Sequence, residues 1–109
     1  MDVPAELYLD TIRRVFQTHE LARGRMRWRG RPVRPEAIRN TTLLAIEGGR
    51  DKSCPAGQTR AALRLCTGLS PGMARHHLQP GAGHDMLFEG PVWETQVYPV
   101  VRDVIRARA

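Results

Sequence analysis

The chain has 109 residues, of which 41% are hydrophobic and 26% charged; this bounds it to one domain and excludes wholesale disorder. The net charge is +6, and Lys52 is the only lysine among 17 basic residues, a choice that follows genome base composition more than phosphate recognition, so weak adhesion to polyanions is expected without a nucleic-acid ligand being named. Two cysteines are too few for a disulfide scaffold, no apolar run reaches membrane-spanning length, and the acidic start Met1-Asp2-Val3-Pro4-Ala5-Glu6 lacks the apolar core of a secretory leader; a reduced, cytoplasmic setting with no membrane is the expectation.

Pro4 to Ala22 reads as a helix, with Pro4 at its first turn and Gly24 as its stop. Tyr8, Ile12, Val15, Phe16 and His19 fall near one face of it. From Arg23 to Arg31 arginine stands at every second position, interleaved with Gly24, Met26, Trp28 and Gly30. A period of two places the arginines on one solvated face and turns Trp28 inward, while Gly30, Pro32 and Pro35 break the segment into a hairpin-like loop. Thr41 to Ile46 is a continuous apolar strand, the kind that lies inside a parallel sheet with a neighbour on each side and helices on both faces. A helix is expected from about Pro55 to Thr67, carrying an Ala62, Leu65, Cys66, Leu69 stripe and ending at Gly68. Met73 to Gln79 is a second strand, followed by the loop Pro80-Gly81-Ala82-Gly83-His84. A last helix starts near Pro91 and buries Trp93, Val97, Val100, Val101 and Val104, with Pro99 kinking or splitting it.

From residue 41 the order is therefore strand, loop, helix, strand, loop, helix. Parallel strands joined by a crossover gather their chemistry in the loops at their carboxyl ends. Asp51 and His84 stand in those two loops. A carboxylate that accepts from one imidazole nitrogen fixes the tautomer and leaves the other nitrogen as a general base. The same residues also have a structural reading, in which Asp51 caps the following turn and His84 is a surface loop residue. Cys66, on the apolar stripe, reads as packing, and Cys54 as a loop residue. His76 and His77 are neighbours on one strand and diverge to opposite faces, so no metal site is expected there. The arginine comb with Trp28 has the makings of a single-strand nucleic-acid contact, against which stands a solvated strand face.

Several elements run in one collinear order: Pro4-Ala5-Glu6, Arg29-Gly30, Ile46-Glu47-Gly48-Gly49-Arg50-Asp51, Gly57-Gln58-Thr59, Leu65-Cys66, His76-His77-x-Gln79, Gly81-Ala82-Gly83-His84, Phe88-x-Gly90 and Trp93-Glu94-Thr95. Together they resemble the C-terminal region of the intracellular polyhydroxyalkanoate (polyhydroxybutyrate) depolymerases, which are α/β-hydrolases, over nearly the whole chain. The family usually has Glu where Gly49 stands, a second acid where Lys52 stands and Tyr where Asp85 stands.

The resemblance implies a partial α/β-hydrolase fold. Residues 1–40 would form a helix and an Arg-rich loop, and 41–109 the strand-helix-strand-helix unit carrying the acid and the histidine. It implies that Asp51 orients His84 as the catalytic pair of a polyester hydrolase that attacks with a cysteine at a nucleophile elbow. The pattern Gly-x-Ser-x-Gly occurs once, at Gly68-Leu69-Ser70-Pro71-Gly72, but it lies between a helix and the second strand and Ser70 has no elbow context; no Gly-x-Cys-x-Gly occurs in these 109 residues. The chain is therefore expected to be a C-terminal part that is inactive alone, with Met1 an internal start. Its expected partners are polyhydroxyalkanoate polymer or oligomer, bound together with an N-terminal half, and a second copy of itself. A granule surface is the implied location and no cofactor is implied. The competing class is a non-enzymatic remnant that binds a granule or a protein, or a basic nucleic-acid-binding domain.

Overall fold

In the computed structural model residues 3–108 are described, and the expectation about Met1 lies outside them. The chain divides into two compact units, the boundary falling between Arg34 and Pro35 in the sequence. It is a small mixed helix-and-strand protein with two short two-stranded sheets.

In the first unit the helix is shorter than its apolar spacing suggests. Helix α1 (Ala5–Thr11) passes into a π-helical stretch, Ile12–Gln17, and the chain then turns. None of its residues is buried; Tyr8, Val15 and Phe16 are exposed. The arginine-rich segment forms a hairpin of two-residue strands, β1 (Arg27–Trp28) and β2 (Arg31–Pro32), paired antiparallel. Arg29 and Gly30 both take positive φ, 50° and 77°, the requirement of a two-residue hairpin turn. Trp28 is not turned inward: it is exposed, with the Arg29 guanidinium 4.5 Å over its ring. A strand of two residues is too short to define a covered face, so the arginine supplies the cover itself.

The second unit is built on strands β3 (Leu43–Gly48) and β4 (Ala74–Gln79), paired parallel with Leu43 opposite Ala74 and Gly48 opposite Gln79. Each strand has one neighbour among the described residues, where two were expected for the first. Side chains alternate across the sheet, so Ala45, Glu47 and His76 share one face, while Ile46, His77 and Gln79 share the other. Ile46 packs with Val92 and Trp93 on the core of Ala82, Leu87 and Val97. Val97 retains no exposed surface, a burial that stabilises by about 1.5–3 kcal/mol.

The expected helix from Pro55 to Thr67 shrinks to α2 (Ala61–Leu65). Residues before it are held in turns because buried carboxylates claim their amides, and Gly57 takes φ +103°. Ala62 is exposed, and buried Cys66 lies just past the helix end. The last helix is continuous in its path through α3 (Gly90–Val92), a π-helical stretch Trp93–Val97, and α4 (Tyr98–Arg108). The wider turns precede Pro99, which lacks an N–H, and a π-bulge is one way a helix absorbs that interruption.

Candidate active site

Both strands end in loops that hydrogen-bond to each other. The Gly49 amide donates to the Gln79 carbonyl at 2.9 Å and the Arg50 amide to the Ala82 carbonyl at 2.9 Å. Gly48 is required at this crossing, since a Cβ there would lie 2.5 Å from the Ala82 oxygen. Gly81 allows the return of the second loop with φ +72°. His84 then opens a short 3₁₀ turn, Asp85–Leu87, which is anchored by the buried side chain of Leu87.

This crossing brings Asp51 and His84 together. The His84 Nδ1–H donates to Asp51 Oδ2 at 2.7 Å. The aspartate side chain is 2% exposed and the imidazole 46%. Asp51 Oδ1 accepts from the backbone amides of Ser53 at 2.8 Å and Cys54 at 2.9 Å. The turn-capping role and the histidine-orienting role are thus filled by the two oxygens of one carboxylate. No hydrogen bond among the described residues engages His84 Nε2, and the Phe88 ring stands edge-on 5.5 Å from the imidazole.

The charges follow from these contacts. The Cys54 amide first, then His84 and the Ser53 amide, hold the Asp51 carboxyl below its ordinary 3.8 against the opposing effect of burial. The hydrogen bond to Asp51, followed by the attraction of the same carboxylate, raises His84 above 6.5, and Asp85 adds a smaller push in the same direction. The pair is therefore a buried anion holding a half-exposed imidazole in one tautomer, with the free nitrogen able to take or give a proton.

A second carboxylate–histidine pair escaped the sequence reading. Glu47 is 2% exposed, and its Oε1 accepts from His76 Nε2–H at 2.6 Å. Its Oε2 accepts from the Gly57 amide at 2.6 Å and the Arg60 amide at 3.0 Å. These amides, Arg60 first, and His76 hold the Glu47 carboxyl below 4.5 against its burial. Strand parity was the available signal, because it puts Glu47 on the Ala45 face of an otherwise apolar strand. On the other face, His77 Nε2–H donates to Gln79 Oε1 at 2.9 Å and Gln79 Nε2 donates to Gln96 at 2.6 Å.

The Cys54 thiol lies 3.3 Å from the Thr59 hydroxyl, and Cys66 is buried. Among the described residues no three His, Cys, Asp or Glu side chains converge as a metal site, and no helix is long and apolar enough to cross a membrane. A family model described as PHB de-polymerase C-terminus matches residues 1–109. Comparison with curated proteins and with solved structures gives no match.

Proposed function

The chain belongs to the PHB depolymerase C-terminus family, and from that premise we propose that it supplies the acid and the base of a polyester hydrolase with an α/β-hydrolase arrangement. The observation that carries this reading is the 2.7 Å bond from His84 Nδ1 to Asp51 at the carboxyl ends of two paired parallel strands. Asp51 holds the ring, and His84 Nε2 takes the proton of a nucleophile and returns it to the leaving alcohol. In the second half of the reaction it activates the water that frees the acyl group. The substrate class is a polyester of short 3-hydroxy acids, and the chemistry needs no cofactor.

The nucleophile and the oxyanion donors belong, in this reading, to a segment outside these 109 residues. A positioned acid–base pair contributes ~10² to 10⁴ in rate, but without a nucleophile it has nothing to activate except water. An oxyanion donor alone is worth ~10² to 10³. The test is a p-nitrophenyl ester assay on the pure chain, and on the chain mixed with the N-terminal half of a related depolymerase. The expected result is no activity above background alone, and activity in the mixture that His84→Ala abolishes. Activity of the pure chain that Cys54→Ala removes would overturn the reading, since Cys54 would then be the nucleophile.

The same reading includes self-association of the isolated chain. Strands β3 and β4 have one neighbour each among the described residues, and Tyr8, Phe16 and Trp28 are exposed. Open strand edges and exposed apolar side chains favour pairing with another copy.

A further inference from the structure

We propose that Glu47 is a positioning residue for the Asp51–His84 pair: from β3 it grips the amides of Gly57 and Arg60 and so holds the loop that presents Asp51 to His84. The inference rests on the acid–base reading of that pair.

A carboxylate buried to 2% exposure is costly unless donors meet it. Glu47 has three, and their placement is informative. One is His76, on the adjacent strand. The other two are backbone amides of the segment that follows Asp51. That segment has little regular structure of its own before α2. Asp51 takes the amides of Ser53 and Cys54 at one end, and Glu47 takes those of Gly57 and Arg60 at the other. Its path is thus set by two buried carboxylates.

The position of the Ser53 and Cys54 amides decides how the Asp51 carboxylate is rotated, because Oδ1 must face them while Oδ2 faces His84. Releasing the far end of the loop lets those amides drift and loosens the carboxylate. Gly57, at φ +103° with open space where a Cβ would stand, offers no resistance of its own. None of the hydrogen bonds of Glu47 reaches Asp51 or His84, so its effect on the pair passes through the loop.

The test reads the His84 ring by nitrogen-resolved NMR of the whole chain across pH, in the wild type and four variants. Asp51→Asn sets the scale: the His84 midpoint drops toward 6.5. Glu47→Gln is expected to produce a clear fraction of that drop and to broaden the Nδ1–H signal. Gly68→Ala, which crowds the Glu36 and Ile38 carbonyls rather than the core beneath His84, is expected to lower stability and leave the midpoint in place. Should Glu47→Gln fail to fold, Arg60→Pro carries the test. It removes one donor at a position whose φ of −58° suits proline, and it is expected to lower the midpoint by a smaller step. A folded Glu47→Gln, or in its absence Arg60→Pro, with an unchanged His84 midpoint overturns the proposal. An Asp51→Asn chain with an unchanged midpoint would instead overturn the acid–base reading beneath it.

Discussion

His84 is shared between two neighbouring acids of unequal effect. Asp51 holds Nδ1 directly, while Asp85, the next residue in the chain, acts on the ring by charge alone. Asp85→Asn is expected to lower the His84 midpoint, by less than Asp51→Asn does; NMR titration of the ring decides it, and equal drops would contradict the geometry. For the acid–base role proposed for His84 the sign is definite. A general base works in its neutral form, and a raised midpoint keeps His84 protonated to higher pH. With a nucleophile-bearing partner supplied, the acid limb of the kcat/KM profile should lie above pH 6.5, and Asp85→Asn should move it down.

At the scale of elements, the two strand-end loops work as one piece. The Gly48 crossing against Ala82 leaves no room for a methyl group. Gly48→Ala is expected to cost about 1–3 kcal/mol of overpacking, seen as a lower urea midpoint at unchanged slope. It should also disturb the Asp51–His84 bond, since the same crossing sets that distance. Gly68 is as constrained at a different place, because a Cβ there would meet the carbonyls of Glu36 and Ile38. Gly68→Ala is expected to lower stability without moving the His84 midpoint, so the pair of variants separates loss of fold from loss of site. The last helix shows the opposite tolerance: its π-helical stretch ends at Val97, two residues before Pro99, and Val97 is fully buried.

For the whole molecule, three shifted groups define a pH window. The folded-state pKa values of Glu47 and Asp51 are depressed from 4.5 and 3.8, so their contribution is present above those values and lost as pH falls through the lowered ones. The His84 value is raised from 6.5, so its contribution is full below 6.5 and is lost as pH rises through the raised value. Stability measured by urea unfolding should therefore be greatest between about pH 4.5 and 6.5 and fall on both sides. Glu47→Gln should flatten the acid side, and Asp51→Asn should flatten both. Self-association is the second expectation at this scale. Sedimentation should find dimers or larger species at high micromolar concentration, and a compact monomer there would count against it.

The residue types and their order were enough to identify the two strands, the loops at their carboxyl ends and the meeting of Asp51 with His84. An apolar run and a glycine-rich turn are local signals, and parallel pairing puts both loops on one edge. The helix expected over Pro55–Thr67 is shorter because the amides of Gly57 and Arg60 are claimed by Glu47 of β3, a competition that helical periodicity does not record. The strand was expected to end at Ile46, which left Glu47 beyond it, although parity on β3 was available to mark it; only the pairing with β4 supplied His76 as a hydrogen-bond partner. Trp28 was misplaced because alternation implies a covered face only where a second layer exists, and the hairpin has none of its own. Local chemistry in the chain therefore determined which carboxylate and imidazole could pair. Tertiary packing decided which buried charges hold them still, because a buried carboxylate is stable only where the fold brings donors to it.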